Sequence, residues 1–287
     1  MATTRREVLR RAAVAVALPV LGTRAEARPQ ATPRPRTILA IGAHFDDCEI
    51  GAGGLILKAV RRGHRVVVLN LVGDYSTWDV TRGREARIRQ RSDEIARSMG
   101  VEKRYLSFGY QQVVDDLATI KAIAEVVVDV RPDVTLMNDR DERGRAPADH
   151  AVAGIVAEKA VRNAATILGG LTVTYGREMY AYEVDPQRSF PADVFVDVGA
   201  EIGDVVEIVN TFRQLNAEAP IAKDAARVDA RTTLHPGGRE LALTPWGEIK
   251  LSTARVRGLQ GGVRFAEAYR ALDMPAVGRR VLDEIAG

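Results

Sequence analysis

The chain has little that would cross-link it or anchor it. Cys48 is its only cysteine, so no intramolecular disulfide can form and the redox compartment leaves no mark on the sequence. Aromatic residues make up 5%, too few to suggest a stacking platform for single-stranded nucleic acid. Histidine is scarce: His44, His64, His150 and His235 are the whole set of four. An excess of one charge is also missing from most of the chain. The formal net charge is +3, and that excess lies within residues 1–27, where Arg5, Arg6, Arg10, Arg11 and Arg24 outnumber Glu7 and Glu26. The remainder is balanced, so no global basic field favours DNA, and no nucleic-acid partner is expected.

What is present is a globular composition. The chain has 287 residues, of which 46% are hydrophobic and 28% charged, enough to bury a large core within a single α/β domain.

The N-terminus reads as an address. Thr4-Arg5-Arg6-Glu7-Val8-Leu9-Arg10 resembles the twin-arginine export signal of bacteria. An apolar run from Ala12 to Gly22 follows, and then Ala25-Glu26-Ala27, a small-x-small cleavage site. The run is about half of the ~20 residues that span a bilayer, and Pro19 interrupts it, so no stable membrane anchor is expected. Residues 1–27 are therefore expected to be a twin-arginine signal peptide, with the twin-arginine translocase as partner and an exported product, periplasmic or extracellular. Residues 28–36, rich in Pro and Arg, form a linker, and 37–287 a single domain.

From Thr37 onward, short apolar runs alternate with helical spacing. Strands are expected at Thr37–Gly42, Arg65–Val72, Arg104–Ser107 and Asp133–Met137. Helices are expected at Glu49–Arg62, Gly83–Met99, Leu117–Val130 and Asp149–Ile167. This alternation implies βαβ crossovers and a mostly parallel sheet with helices on both faces. The C-terminal part is less regular. Strands are expected at Met179–Val184 and Val194–Val198, a helix at Glu201–Glu218, a Gly/Pro-rich loop at His235–Trp246 and a closing helix at Gly262–Leu272.

The first strand runs into Ala43-His44-Phe45-Asp46-Asp47-Cys48-Glu49. Ligands of open α/β sheets bind beyond the carboxyl ends of the strands. A histidine and two adjacent aspartates there form an acidic, metal-ready turn, because neighbouring carboxylates repel unless a cation or proton intervenes. His44 and Asp47 are three apart and can reach one ion, which frees Asp46 to take a proton from water. The plainer reading of the two aspartates is helix capping. Gly51-Ala52-Gly53-Gly54 invites a nucleotide reading, but Gly42 to Gly54 does not match G-x-G-x-x-G, and the carboxylates would repel a pyrophosphate. Asp149-His150 opens the helix after the fourth strand at the same sheet edge. His150 can complete a His–Asp–His site with a position left for water, with Asp149 as its neighbour.

These motifs resemble those of the PIG-L/LmbE-like N-acetylglucosaminyl deacetylases. Residues 43–49 are similar to that family's A-H-P-D-D-x-E motif, and Gly51, Gly53 and Gly54 continue the likeness. Pro147-Ala148-Asp149-His150 is similar to its H-x-D-H motif, and residues 262–270 to its closing segment. The resemblance implies a Rossmann-like fold, a Zn2+ cofactor held by His44, Asp47 and His150, and Asp46 as general base on a zinc-bound water. It implies an N-acyl amino sugar or its conjugate, small molecule or glycan, as substrate. Arg84, one of several arginines on the second helix, and Asp149 are candidates for substrate contact. Two departures stand out. Phe45 replaces the family's proline, and Pro147 replaces its first H-x-D-H histidine, so His235 is a candidate for the missing proton donor. The rival reading is a metal-binding carbohydrate-binding protein on the same fold with little or no turnover. A metal-free binding module is a third, against which the His–Asp–His set argues.

Overall fold

The first strand, β1 (Thr37–Gly42), reads TILAIG and is apolar nearly throughout. Such a run fits a parallel strand covered on both faces. A computed structural model describes residues 34–142, 148–169, 178–185, 190–215, 243–272 and 280–287. The expected N-terminal signal, most of the linker, Pro147 and His235 lie outside these residues. From Pro35 on the chain is one unit.

After β1 come α1 (Asp47–Arg61), β2 (Arg65–Asp74), α2 (Glu85–Met99), β3 (Glu102–Gly109), α3 (Leu117–Val130), β4 (Val134–Asn138) and α4 (Asp149–Ile167). The rest consists of β5 (Glu178–Tyr182), β6 (Val194–Asp197), α5 (Ile202–Leu215), α6 (Pro245–Gly261), β7 (Ala266–Ala271) and α7 (Val281–Ala286). All strands join one sheet in the order β3-β2-β1-β4-β5-β7-β6. Strands β1 to β5 pair in parallel, and β7 runs antiparallel between β5 and β6. Successive residues of β1, β2 and β4 are buried, so both faces are covered. On them α1 packs with α5 and α7, and α3 packs with α4. The charged, partly exposed β3 forms one edge, as an edge strand should.

The chain winds outward from β1 to β2 and β3, then returns to place β4 on the other side of β1. This reversal opens a crevice at the carboxyl ends of β1 and β4.

Two expectations for the C-terminal part are corrected. The closing helix at Gly262–Leu272 is instead strand β7. Its side chains alternate, with Phe265, Glu267 and Tyr269 on one face and Ala266 and Ala268 on the other, and all five are buried. Glu267 makes the segment look polar and helical in the sequence. Its carboxylate is buried because it accepts from the backbone N–H groups of Gly54 and Leu55, at 2.8 and 2.9 Å, and from Lys250 Nζ at 2.7 Å. The loop expected to run to Trp246 ends earlier, because Pro245 and Trp246 open α6. Thr244 caps that helix, accepting from Gly247 N–H at 3.1 Å, and Gly262, with φ of 73°, ends it in the left-handed conformation. The C-terminal part is therefore an integral part of the sheet.

Candidate metal centre

The turn after β1 is held by its two neighbouring strands. Asn70 of β2 donates to the His44 carbonyl. Asn138 of β4 accepts from Ala43 N–H at 3.0 Å, and its amide reaches Asp47 Oδ2 at 3.4 Å. Asp47 Oδ2 also accepts from His44 N–H at 2.9 Å, so this carboxylate closes the turn that carries it. Helix α1 begins two residues earlier than the sequence pattern suggests, which places Asp47 in its first turn.

His44, Asp47 and His150 come together with one ligand atom each, all within 4.8 Å of one another, and all three residues are buried. His44 Nδ1 lies 3.1 Å from His150 Nε2, and His150 Nε2 lies 3.3 Å from Asp47 Oδ1. The outer nitrogen of each ring meets a different carboxylate. His44 Nε2 is 3.1 Å from Asp149 Oδ2, and His150 Nδ1 is 3.2 Å from Glu142 Oε1. When each outer nitrogen donates to its carboxylate, the two inner nitrogens present lone pairs to each other at van der Waals distance. Lone pairs so placed, with a carboxylate beside them, call for a cation, so the donor set fits a divalent metal of the zinc type. Electrostatics point the same way. Burial alone would raise the Asp47 carboxyl, but His150 and His44 hold it well below the usual carboxylate range. Burial alone would lower His150, but Asp47 and Glu142 push it well above the ordinary imidazole value.

Asp46 does not cap the helix through its side chain, so that plainer reading is not met. Its carboxylate instead lies 3.3 Å from the Arg213 guanidinium of α5. The glycines after it serve packing. A Cβ on Gly51 would fall 2.0 Å from the Tyr182 ring, and one on Gly54 would fall 2.5 Å from Val198. They let α1 lie close on the sheet, which accounts for them without a bound phosphate. Phe45 makes a contact that proline could not: its N–H donates to the Tyr75 hydroxyl at 3.0 Å. Its ring packs on Tyr75 and Phe212.

An open cleft of about 380 Å³ leads to His44, Asp46, Asp47 and His150. Trp78 and Tyr110 line it, stacked with ring centroids 4.7 Å apart. Trp246, whose ring lies 5.0 Å from the Arg213 guanidinium, and Asp185 line it too. None of these five was singled out by the sequence patterns. Arg84 does not line the cleft, and its guanidinium donates to the Val80 carbonyl. Asp149 is likewise turned from the cleft, holding His44 and accepting from Gln111 N–H at 2.7 Å. His64 is remote from the centre, accepting from Arg36 N–H at 3.1 Å.

The fold and site thus define an α/β protein with a buried His–Asp–His ligand group at its topological switch point. Residues 39–161, which carry all of that group, match the PIG-L family model, described as GlcNAc-PI de-N-acetylase. A diacetylchitobiose deacetylase of Thermococcus kodakarensis is 34% identical over 131 residues, 44% of this chain and 49% of that protein. The chain thus spans about half the length of this curated relative. An N,N'-diacetylchitobiose deacetylase from Pyrococcus horikoshii superposes with a TM-score of 0.63 at 21% identity, covering 84% of this chain and 85% of that one. A 4-carboxy-2-hydroxymuconate hydratase from Pseudomonas putida superposes with a TM-score of 0.62 at 17% identity, covering 85% and 99%. A hydratase and a deacetylase share this fold, so the fold alone does not select a reaction.

Proposed function

We propose that the protein is a zinc-dependent amidohydrolase that removes an acetyl or similar acyl group from the nitrogen of an amino sugar or its conjugate. The observation that carries this reading is the convergence of His44 Nδ1, Asp47 and His150 Nε2 at the floor of a cleft, with Asp46 beside them. The PIG-L match over the same residues and the diacetylchitobiose deacetylase relative supply the substrate class.

His44, Asp47 and His150 would hold the zinc, which when bound supplies a Lewis acid for the acyl oxygen and an acidified water. Asp46 takes the proton of the attacking water as its oxygen closes on the acyl carbon. Asp46 then releases that proton to solvent, and the departing amine takes its proton from a separate acid. Arg213 orients Asp46 through their 3.3 Å contact. Trp78 and Tyr110 offer aromatic surface to the apolar face of a sugar ring. In this reading His235 takes over the proton-donor role that proline at position 147 cannot fill. The protein reaches its substrate after export by the twin-arginine route, a reading supported by the order of basic, apolar and small-residue segments in residues 1–27.

The test is an amine-release screen of the purified protein on N-acetylated amino sugars, diacetylchitobiose included. Metal-dependent release of a free amine is the expected result. A folded, zinc-loaded protein that releases none from the whole set would overturn the proposal.

A further inference from the structure

We infer that Glu142 is a positioning residue for His150. It fixes which ring nitrogen faces the metal and strengthens that nitrogen as a ligand. The inference rests on the proposed function in requiring His150 to hold zinc.

Glu142 follows β4 in a charged stretch whose default role is a solvated loop. Its side chain is nevertheless buried, at 3% exposure. Burying a carboxylate is unfavourable unless something compensates its charge. Oε1 lies 3.2 Å from His150 Nδ1 and also accepts from the backbone N–H of Asp185 at 2.7 Å. Oε2 is buried without a hydrogen-bond partner among the described residues. The charge is thus directed at the imidazole. A proton held on Nδ1 by this carboxylate leaves the Nε2 lone pair directed at Asp47 and His44 Nδ1, where the cation belongs. A carboxylate behind a ligand histidine also makes the ring more basic, and losing one typically weakens metal binding by about 10–100-fold. The same oxygen anchors the chain just after β5, so Asp185 at the cleft and His150 at the metal share one support.

Glu142 could instead be only a tether for that segment, and Glu142→Gln separates the two roles. The amide keeps size and shape, and its carbonyl oxygen can still accept from the Asp185 N–H, but the negative charge on His150 is gone. Zinc affinity is read by competition with a chromophoric chelator, on full-length protein whose thermal unfolding shows it folded. The ligand-field absorption of the cobalt(II)-substituted protein is recorded beside it. Positioning predicts a zinc dissociation constant raised about 10–100-fold in Glu142→Gln, with shifted cobalt bands. An unchanged constant and unchanged bands in Glu142→Gln would reduce Glu142 to a tether and overturn the inference while leaving the deacetylase reading intact. A wild-type protein that binds neither metal would overturn both.

Discussion

Asp46 stands at the N-cap of α1 yet spends its carboxylate on Arg213 and the cleft. Its neighbour Asp47 faces inward to the two imidazoles. In the proposed mechanism, adjacent residues in one turn thus take two roles, ligand and base. Asp46→Asn should therefore retain zinc and lose about 10²–10⁴-fold in rate, because the amide cannot accept a proton. Zinc content by elemental analysis and kcat on one substrate check this, and a wild-type rate would remove Asp46 from the mechanism. His235→Ala should cost about 10–1000-fold in kcat while zinc stays bound, and should remove a falling limb of the rate near about pH 6.5–7.5. An unchanged rate and pH profile would assign proton return to Asp46 or solvent. At this scale the sequence is legible where ligand-type residues cluster within one turn, as at His44, Asp46 and Asp47. It is silent on Arg213, Asn70 and Asn138, ordinary polar residues whose place in the site comes only from folding. Glu142 was hidden for another reason: in a run with Asp139, Arg140 and Asp141, its burial leaves no trace in composition.

The elements of the first half follow directly from pattern. In a parallel sheet with both faces buried, β1, β2 and β4 are largely apolar, while α2 and α3 each bury one face and α1 is buried almost all round. The second half obeys different rules. Strand β7 contains a buried glutamate whose partners, Gly54, Leu55 and Lys250, come from α1 and α6. No local signal reveals that pairing, so its Ala-Glu-Ala spacing suggests a helix. No helix is expected from the sequence at α6, although Thr244 followed by Pro245 is a helix-opening pair, because the preceding His-Pro-Gly-Gly suggests that the loop continues. Gly51 connects motif and packing at this scale. Gly51→Ala pushes its Cβ into Tyr182, whose hydroxyl donates to the Ile41 carbonyl at 2.8 Å. Overpacking of this kind costs about 1–3 kcal/mol. Gly53→Ala should cost less, because its Cβ would lie 3.1 Å from a Val205 methyl. Urea midpoints of the two variants check the order, and an unchanged midpoint for Gly51→Ala would contradict the packing role of this glycine.

Across the whole molecule, the sheet order brings residues more than a hundred positions apart to one crevice, and the strand reversal between β1 and β4 determines where. Among the described residues no helix is long and apolar enough to cross a membrane. The charge excess lies in residues 1–27, outside the described part, and the export proposal stands on those residues. Replacing Arg5 and Arg6 by lysines should leave the precursor in the cytoplasm, since a lysine ammonium does not reproduce the planar guanidinium. Cell fractionation reads the outcome, and unchanged export would contradict the twin-arginine reading. The central claim is metal-dependent N-deacetylation, and its most direct measurement is amine release from diacetylchitobiose before chelation, after chelation, and after return of one equivalent of zinc. The account predicts release, loss and recovery in that order. An equal rate in all three states would contradict it.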